Sequence, residues 1–123
     1  MLTSPYDKYK TSQAQTANSG KLLLMLYDGA IRFLKLGIEG IEEKNIEKAN
    51  NNLVKTQAII NELIASLNFD YEIASDLVRI YEYMLYQLIQ CNIRKDKLPA
   101  EEVLGHLIEM KDAWAEASRV SAI

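Results

Sequence analysis

The residues of this chain that could carry out acid–base or metal chemistry are few. The 123-residue sequence contains one histidine, His106, and one cysteine, Cys91. Metal sites in helical bundles use inward-facing glutamates together with Glu-x-x-His pairs, but here the nearest upstream carboxylate, Glu102, lies at i−4 from His106. A Cys–His pair is also disfavoured, because periodicity turns Cys91 toward a helical core and His106 away from one. We therefore expect no catalytic residue, metal or cofactor, and hence no enzyme.

Composition and charge narrow the remaining classes of function. The net charge of −3 and the isoelectric point of about 5.2 argue against a protein that binds the phosphate backbone of nucleic acids. They also argue against a helix that lies on an anionic lipid surface. Residues 1–18 are polar and lack the apolar segment of a secretion signal. The apolar run over residues 22–27 is far shorter than the ~20 residues that span a bilayer. The sequence predicts a cytoplasmic protein with no nucleic-acid partner and no direct membrane insertion.

Hydrophobic periodicity predicts four helices and no strands. The helices are expected over residues 19–44, 46–67 and 71–92, and from residue 99 onward. Ser19, Asn45 and Asp70 are the expected N-cap residues, and Pro99 suits a first helical turn. Helices of ~20 residues joined by short turns predict an all-α, antiparallel four-helix bundle. We divide the chain into a short N-terminal arm or helical cap, residues 1–18, and the bundle, residues 19–123.

The first helix carries more apolar surface than one core face needs. At 100° per residue, its core stripe comprises Leu23, Leu26, Tyr27, Ala30, Leu34 and Ile41. A second stripe, about a quarter-turn away, comprises Leu22, Gly29, Phe33, Leu36 and Gly40. Glycine inside a helix costs ~1 kcal/mol relative to alanine, so the glycines indicate close approach by another helix. Either neighbouring helices enclose the second stripe or an outside partner binds it, and the sequence leaves both open.

Two pairs of tyrosines also indicate contact surfaces. Tyr6 and Tyr9 are three residues apart, so one helical turn would place both rings on one face. Tyr83 and Tyr86 point away from the core stripe of the third helix. That stripe is expected to comprise Ile73, Leu77, Tyr81, Met84, Leu88 and Cys91.

Several ordered motifs resemble those of the flagellar secretion chaperone FliS family, over nearly the whole chain. They are Ser4-Pro5-Tyr6-Asp7-Lys8-Tyr9, Leu26-Tyr27-Asp28-Gly29-Ala30, Ile80-Tyr81-Glu82-Tyr83-Met84-Leu85, Asn92-Ile93-Arg94-Lys95-Asp96 and Asp112-Ala113-Trp114-Ala115-Glu116-Ala117. The resemblance implies a four-helix bundle and a cytoplasmic chaperone. Such a chaperone binds the C-terminal segment of flagellin, prevents its premature polymerisation and supports its delivery to the flagellar type III export apparatus.

The resemblance and the second stripe together suggest where a client would bind. The expected flagellin-binding groove comprises Leu22, Met25, Tyr27, Asp28, Gly29, Phe33, Leu36, Tyr83 and Tyr86. Tyr6 and Tyr9 are expected to form an N-terminal cap that fills part of the groove until flagellin displaces it. Other flagellar regulators and a client-free homodimer remain open as partners. The alternative function is a helical-bundle interaction or regulatory module, a homodimer without a flagellin client.

Overall fold

The structure is a computed structural model that describes residues 19–121. It contains four helices in this range: α1 (Ser19–Glu42), α2 (Ile46–Ala65), α3 (Ile73–Arg94) and α4 (Lys97–Ser121), and no strand. Each helix packs against its neighbours in the chain, and α4 closes the bundle against α1. The predicted all-α, antiparallel four-helix bundle is confirmed. The predicted N-terminal arm, with Tyr6 and Tyr9, lies outside the described residues.

The α1–α2 connection is tight, as predicted. The Asn45 side chain accepts a hydrogen bond from the backbone N–H of Lys48 at 3.0 Å, which caps α2. The Asn45 backbone N–H donates to the carbonyl of Gly40 at 2.8 Å. Lys44 takes a left-handed conformation, with φ of 59°. These contacts reverse the chain within three residues, from Glu43 to Asn45.

The start of α3 differs from the prediction. Asp70 is not its N-cap, because α3 begins at Ile73 and its N-cap residue, Glu72, makes no side-chain capping hydrogen bond. Asn68 organises the connection instead, since its side-chain oxygen accepts from the backbone N–H of Asp70 at 2.9 Å. Ile73 is also more than half exposed, so the expectation that it belongs to the core stripe was wrong.

The core lies between all four helices. Its fully buried large side chains include Leu34, Leu53, Ile60, Leu63, Met84, Leu88 and Leu107. Cys91 is buried among them, as predicted, and burial raises the pKa of its thiol to about 11. A thiol with so high a pKa is a poor nucleophile at neutral pH, so Cys91 acts as a small apolar side chain.

Helices α1 and α2 approach each other closely at the glycines of α1. A Cβ atom placed on Gly40 would lie 2.5 Å from the backbone nitrogen of Ala49 and 2.8 Å from its Cα. At Gly37 the same atom would lie 3.0 Å from the Leu53 side chain. The predicted close approach at glycine is confirmed, and the approaching helix is α2.

We predict that Gly40→Ala destabilises the protein by about 1–3 kcal/mol, because the clash is with backbone that must move. The measurement is the free energy of unfolding in urea. Gly105→Ala is the matched control, since a Cβ atom placed on Gly105 would have no neighbouring atom within 4 Å. That control should stabilise α4 by roughly 0.5–1 kcal/mol through helix propensity. Equal stability of the two variants would contradict the close approach.

Candidate partner-binding surface

Three of the five residues of the second stripe of α1, Gly29, Phe33 and Gly40, face α2. A Cβ atom on Gly29 would lie 3.1 Å from the terminal methyl group of Ile59. The half-buried ring of Phe33 has the Lys55 ammonium of α2 at 5.3 Å and the Arg32 guanidinium at 4.8 Å from its centroid. Gly29 was expected to admit an outside helix, but the close approach there is made by α2 itself. Neighbouring helices therefore enclose much of this stripe.

Tyr27 is part of the core rather than of an exposed groove. Its relative exposure is 0%, and its hydroxyl lies 2.6 Å from the hydroxyl of Tyr81 on α3. The indole N–H of Trp114 on α4 donates to the Tyr27 hydroxyl at 3.2 Å. Burial raises the pKa of both tyrosines, so both remain protonated. We call Tyr27, Tyr81 and Trp114 the hydroxyl cluster, which joins α1, α3 and α4.

The other predicted α1 residues lie near the surface. Leu22, Met25 and Leu36 are half-buried, and Asp28 is exposed. The carboxylate of Asp28 pairs with the Lys111 ammonium of α4 at 2.5 Å, and this contact raises the pKa of Lys111. Among the described residues, none of the strongly exposed large hydrophobic side chains belongs to α1.

The exposed apolar surface is concentrated on α3. We define the α3 stripe as its exposed large apolar and aromatic side chains beyond the first turn: Ile80, Tyr83, Tyr86, Ile89 and Ile93. Tyr86 and Ile93 are 60% and 72% exposed. Sequence reasoning named Tyr83 and Tyr86 but missed Ile80 and Ile93. The sequence signal that could have found them is the width of the apolar arc on α3, which exceeds what one core face requires.

Polar contacts mark the two edges of the α3 stripe. On one edge, the Tyr83 hydroxyl donates to Glu102 of α4, and this bond raises the pKa of Tyr83. On the other edge, the Asn92 side chain donates to Asn50 of α2 at 2.9 Å. The stripe therefore covers the outer face of α3 between α2 and α4. The backbone of α1 approaches α2 and α4 but not α3, so the predicted α1 and α3 residues lie on helices that are not adjacent, and their joint use as a flagellin-binding groove stays a prediction.

The two ends of the bundle differ. At the end where α4 begins, Lys97 pairs with Glu42 at 2.7 Å, and Lys48 pairs with Glu39 and Glu43 at 3.1 Å each. At the opposite end there is a solvent-open pocket of about 190 Å³. Its lining comprises Leu23, Ser66, Leu67, Asn68, Tyr71, Ile73, Ala74, Leu77, Tyr81 and Trp114. We call it the end pocket, and the sequence pattern does not predict it.

The described residues hold no group of three or more His, Cys, Asp or Glu side chains that could bind a metal. His106 is exposed and lies 3.9 Å from the Glu102 carboxylate, in keeping with its predicted surface position. Within the described range, no helix has the length and apolarity to cross a membrane. What the described surface offers is binding through an exposed apolar stripe.

An all-helical bundle with an unpartnered apolar stripe has the character of a protein-binding module. The comparison with known proteins makes this specific: the chain belongs to the FliS family, since the family model described as "Flagellar protein FliS" matches residues 2–121. The chain is 38% identical over 116 residues to the flagellar secretion chaperone FliS of Bacillus subtilis (strain 168), covering 94% of this chain and 87% of that protein.

More distant relatives carry the same description. The flagellar secretion chaperone FliS of Salmonella typhimurium is 34% identical over 110 residues, which cover 87% of this chain and 82% of that protein. The flagellar secretion chaperone FliS of Escherichia coli (strain K12) is 31% identical over 109 residues, which cover 86% of this chain and 80% of that protein. The predicted family is confirmed, and with it a role as a flagellar export chaperone.

We predict that the double variant Tyr86→Ser with Ile93→Ser lowers the fluorescence of a bound hydrophobic dye, because both side chains belong to the free apolar surface. The free energy of unfolding should change by no more than roughly 0.5 kcal/mol per substitution, as for other surface positions. Leu98→Ser is the matched control, because Leu98 is 67% exposed but lies at the start of α4. Equal dye fluorescence in the double variant and the wild type would contradict a binding role for the α3 stripe.

Proposed function

We propose that this protein is a cytoplasmic chaperone that binds the C-terminal segment of flagellin. By covering that segment it prevents premature polymerisation, and it supports delivery of flagellin to the flagellar type III export apparatus. The observation that carries the proposal is the exposed α3 stripe on a chain of the FliS family. Relatives described as flagellar secretion chaperones support the same role.

The shape of the α3 stripe suits an amphipathic helix. Its residues run from Ile80 to Ile93, which at 1.5 Å per residue is about 20 Å of helix length. Tyr86, Ile89 and Ile93 are spaced i, i+3 and i+7, so they form one row along α3. The apolar face of a partner helix can pack along such a row. A segment that folds on binding loses 2–5+ kcal/mol to ordering and buries 1,000–3,000 Å². The client therefore needs an extended apolar contact surface.

The α1 residues supply a second contact area in this proposal. Leu22, Met25 and Leu36 line the outer edge of α1, and Phe33 lies beside them against α2. In this proposal the two sets bind different segments of the client, because α1 and α3 occupy opposite corners of the bundle. A client that uses both must pass around the bundle in more than one segment.

We further propose that Tyr6 and Tyr9 cover part of the apolar surface when no client is bound. The arm over residues 1–18 joins α1 directly at Ser19. Apolar surface left uncovered promotes association, and a covalently attached arm has a high effective concentration at any site that it reaches. Only molecules whose arm has left the site can bind the client. The apparent affinity for the client is therefore the intrinsic affinity multiplied by the fraction of such molecules.

We predict that Tyr86→Asp with Ile93→Asp weakens binding of a flagellin C-terminal peptide at least about 10-fold, because charges replace apolar contacts. Isothermal titration calorimetry measures the affinity. Leu98→Asp should bind like the wild type, because Leu98 is 67% exposed but belongs to α4 and not to the α3 stripe. Met25→Asp tests the α1 contact in the same assay.

Two results would contradict the flagellin proposal. One is the absence of peptide binding by the wild type at micromolar concentrations. The other is a stable homodimer, measured by light scattering, that the double variant Tyr86→Asp with Ile93→Asp converts to monomer without any effect of flagellin peptide. That second result would favour the regulatory homodimer, which uses the same exposed stripe.

We predict that deletion of residues 1–17 tightens binding of the flagellin peptide, because the competing arm is removed. Calorimetry on the truncated and full chains measures the change, and circular dichroism checks that the bundle remains folded. Weaker binding by a folded truncated chain would show that the arm contacts the client instead of competing with it.

A further inference from the structure

One carboxylate of α4 fixes the position of a tyrosine in the α3 stripe. The Tyr83 hydroxyl donates to one oxygen of Glu102, and the side-chain amide of Gln87 donates to the other oxygen at 3.4 Å. Tyr83 and Gln87 are four residues apart, so they are neighbours on one face of α3. Because both oxygens of Glu102 accept a hydrogen bond from α3, the carboxylate has a defined orientation, and so has the phenol ring that reaches it.

The other tyrosine of the α3 stripe differs in this respect. Among the described residues, the Tyr86 hydroxyl has no hydrogen-bond partner. Tyr86 is 60% exposed, whereas Tyr83 is 47% exposed and extends from α3 across the boundary to α4. The α3 stripe therefore contains one tyrosine ring that a second helix positions and one that it does not.

The charge of Glu102 strengthens its hydrogen bond with Tyr83. Hydrogen bonds to an ionised acceptor are shorter and stronger than those between neutral groups. This bond is the main cause that raises the pKa of Tyr83, because loss of the phenol proton would break the bond and bring two negative charges together. His106 also faces the Glu102 carboxylate, but its Nε2 lies 3.9 Å away, beyond hydrogen-bond distance.

We propose that Glu102 is a positioning residue for client binding, which acts by fixing the ring of Tyr83 before the client arrives. This inference rests on the proposed function, since it gives a role to a residue beside the same α3 stripe. A side chain that becomes immobile only on binding loses rotamer freedom at that step, and affinity falls accordingly. A ring that Glu102 already holds at the boundary between α3 and α4 avoids most of this loss.

The first test needs no client. The tyrosine ring signals of the full chain are followed by NMR through a pH titration, and the Tyr83 signal is identified by its absence from Tyr83→Phe. We expect Glu102→Ala to lower the pKa of Tyr83 toward its ordinary value, because the accepting carboxylate is removed. Glu101→Ala is the matched control, since Glu101 is exposed and adjacent but makes no hydrogen bond with α3. An equal pKa of Tyr83 in the two variants overturns the proposal.

The second test measures the affinity for a flagellin C-terminal peptide by calorimetry. We expect Tyr83→Phe, which keeps the ring and removes the bond, to weaken binding about 2- to 10-fold, and Glu102→Ala to do the same. Since both changes remove one interaction, the double variant should bind no more weakly than either single variant. Glu101→Ala should bind like the wild type, and circular dichroism checks that every variant is folded. Additive losses in the double variant overturn the positioning role.

Tyr86→Phe provides a second comparison on the same helix. Because Glu102 does not hold Tyr86, the effects of Tyr86→Phe and Glu102→Ala should add. Coupling between these two changes would show that Glu102→Ala disturbs α3 as a whole, and would overturn the specific link to Tyr83.

The calorimetry separates this inference from the proposal on which it rests. If the wild type does not bind the peptide, the flagellin proposal fails, and the role of Glu102 in client binding fails with it. If the wild type binds and Glu102→Ala binds equally well or more tightly, only the role of Glu102 fails.

Discussion

The backbone contact between α1 and α2 at Gly40 determines how the rest of the bundle uses its apolar surface. With only hydrogen on the α carbon at this position, the two helices meet without a side chain between them. The short turn at Asn45 begins from this contact, because its N–H donates to the Gly40 carbonyl. A pair of helices held so closely buries apolar side chains that would otherwise face outward.

This close pair explains why the free apolar surface lies on α3. The part of the second stripe of α1 formed by Gly29, Phe33 and Gly40 is covered by α2. Helix α3 also has a broad apolar arc, but its neighbours meet it mainly through its core face and through polar contacts at the edges. Both helices carry more apolar residues than a core face needs. On α1 many of the additional residues pack against α2, whereas on α3 they remain accessible to a partner.

Much of the fold could be predicted from the sequence, and less of the binding surface. The helices, the Asn45 cap and the close approach at glycine follow from local rules of periodicity and capping, which need no knowledge of neighbouring helices. Whether Gly29 meets the protein's own helix or a partner depends on which helices are adjacent, and periodicity does not contain that information. Tyr27 shows the same limit, because its hydroxyl partners lie 54 and 87 residues away in the sequence.

The α2–α3 connection shows a second limit of local rules. Asp70 is a good N-cap by residue type, yet Asn68 binds its N–H and the helix starts later. Both residues are competent turn formers, so residue type alone does not tell which of them organises the turn.

The paired phenol rings of Tyr27 and Tyr81 also connect two helices that are not neighbours in the bundle. They meet hydroxyl to hydroxyl across the diagonal between α1 and α3, two helices whose backbones do not approach each other. The two hydroxyl oxygens are already at hydrogen-bond distance, so van der Waals repulsion between them limits how near α1 and α3 can come along this diagonal.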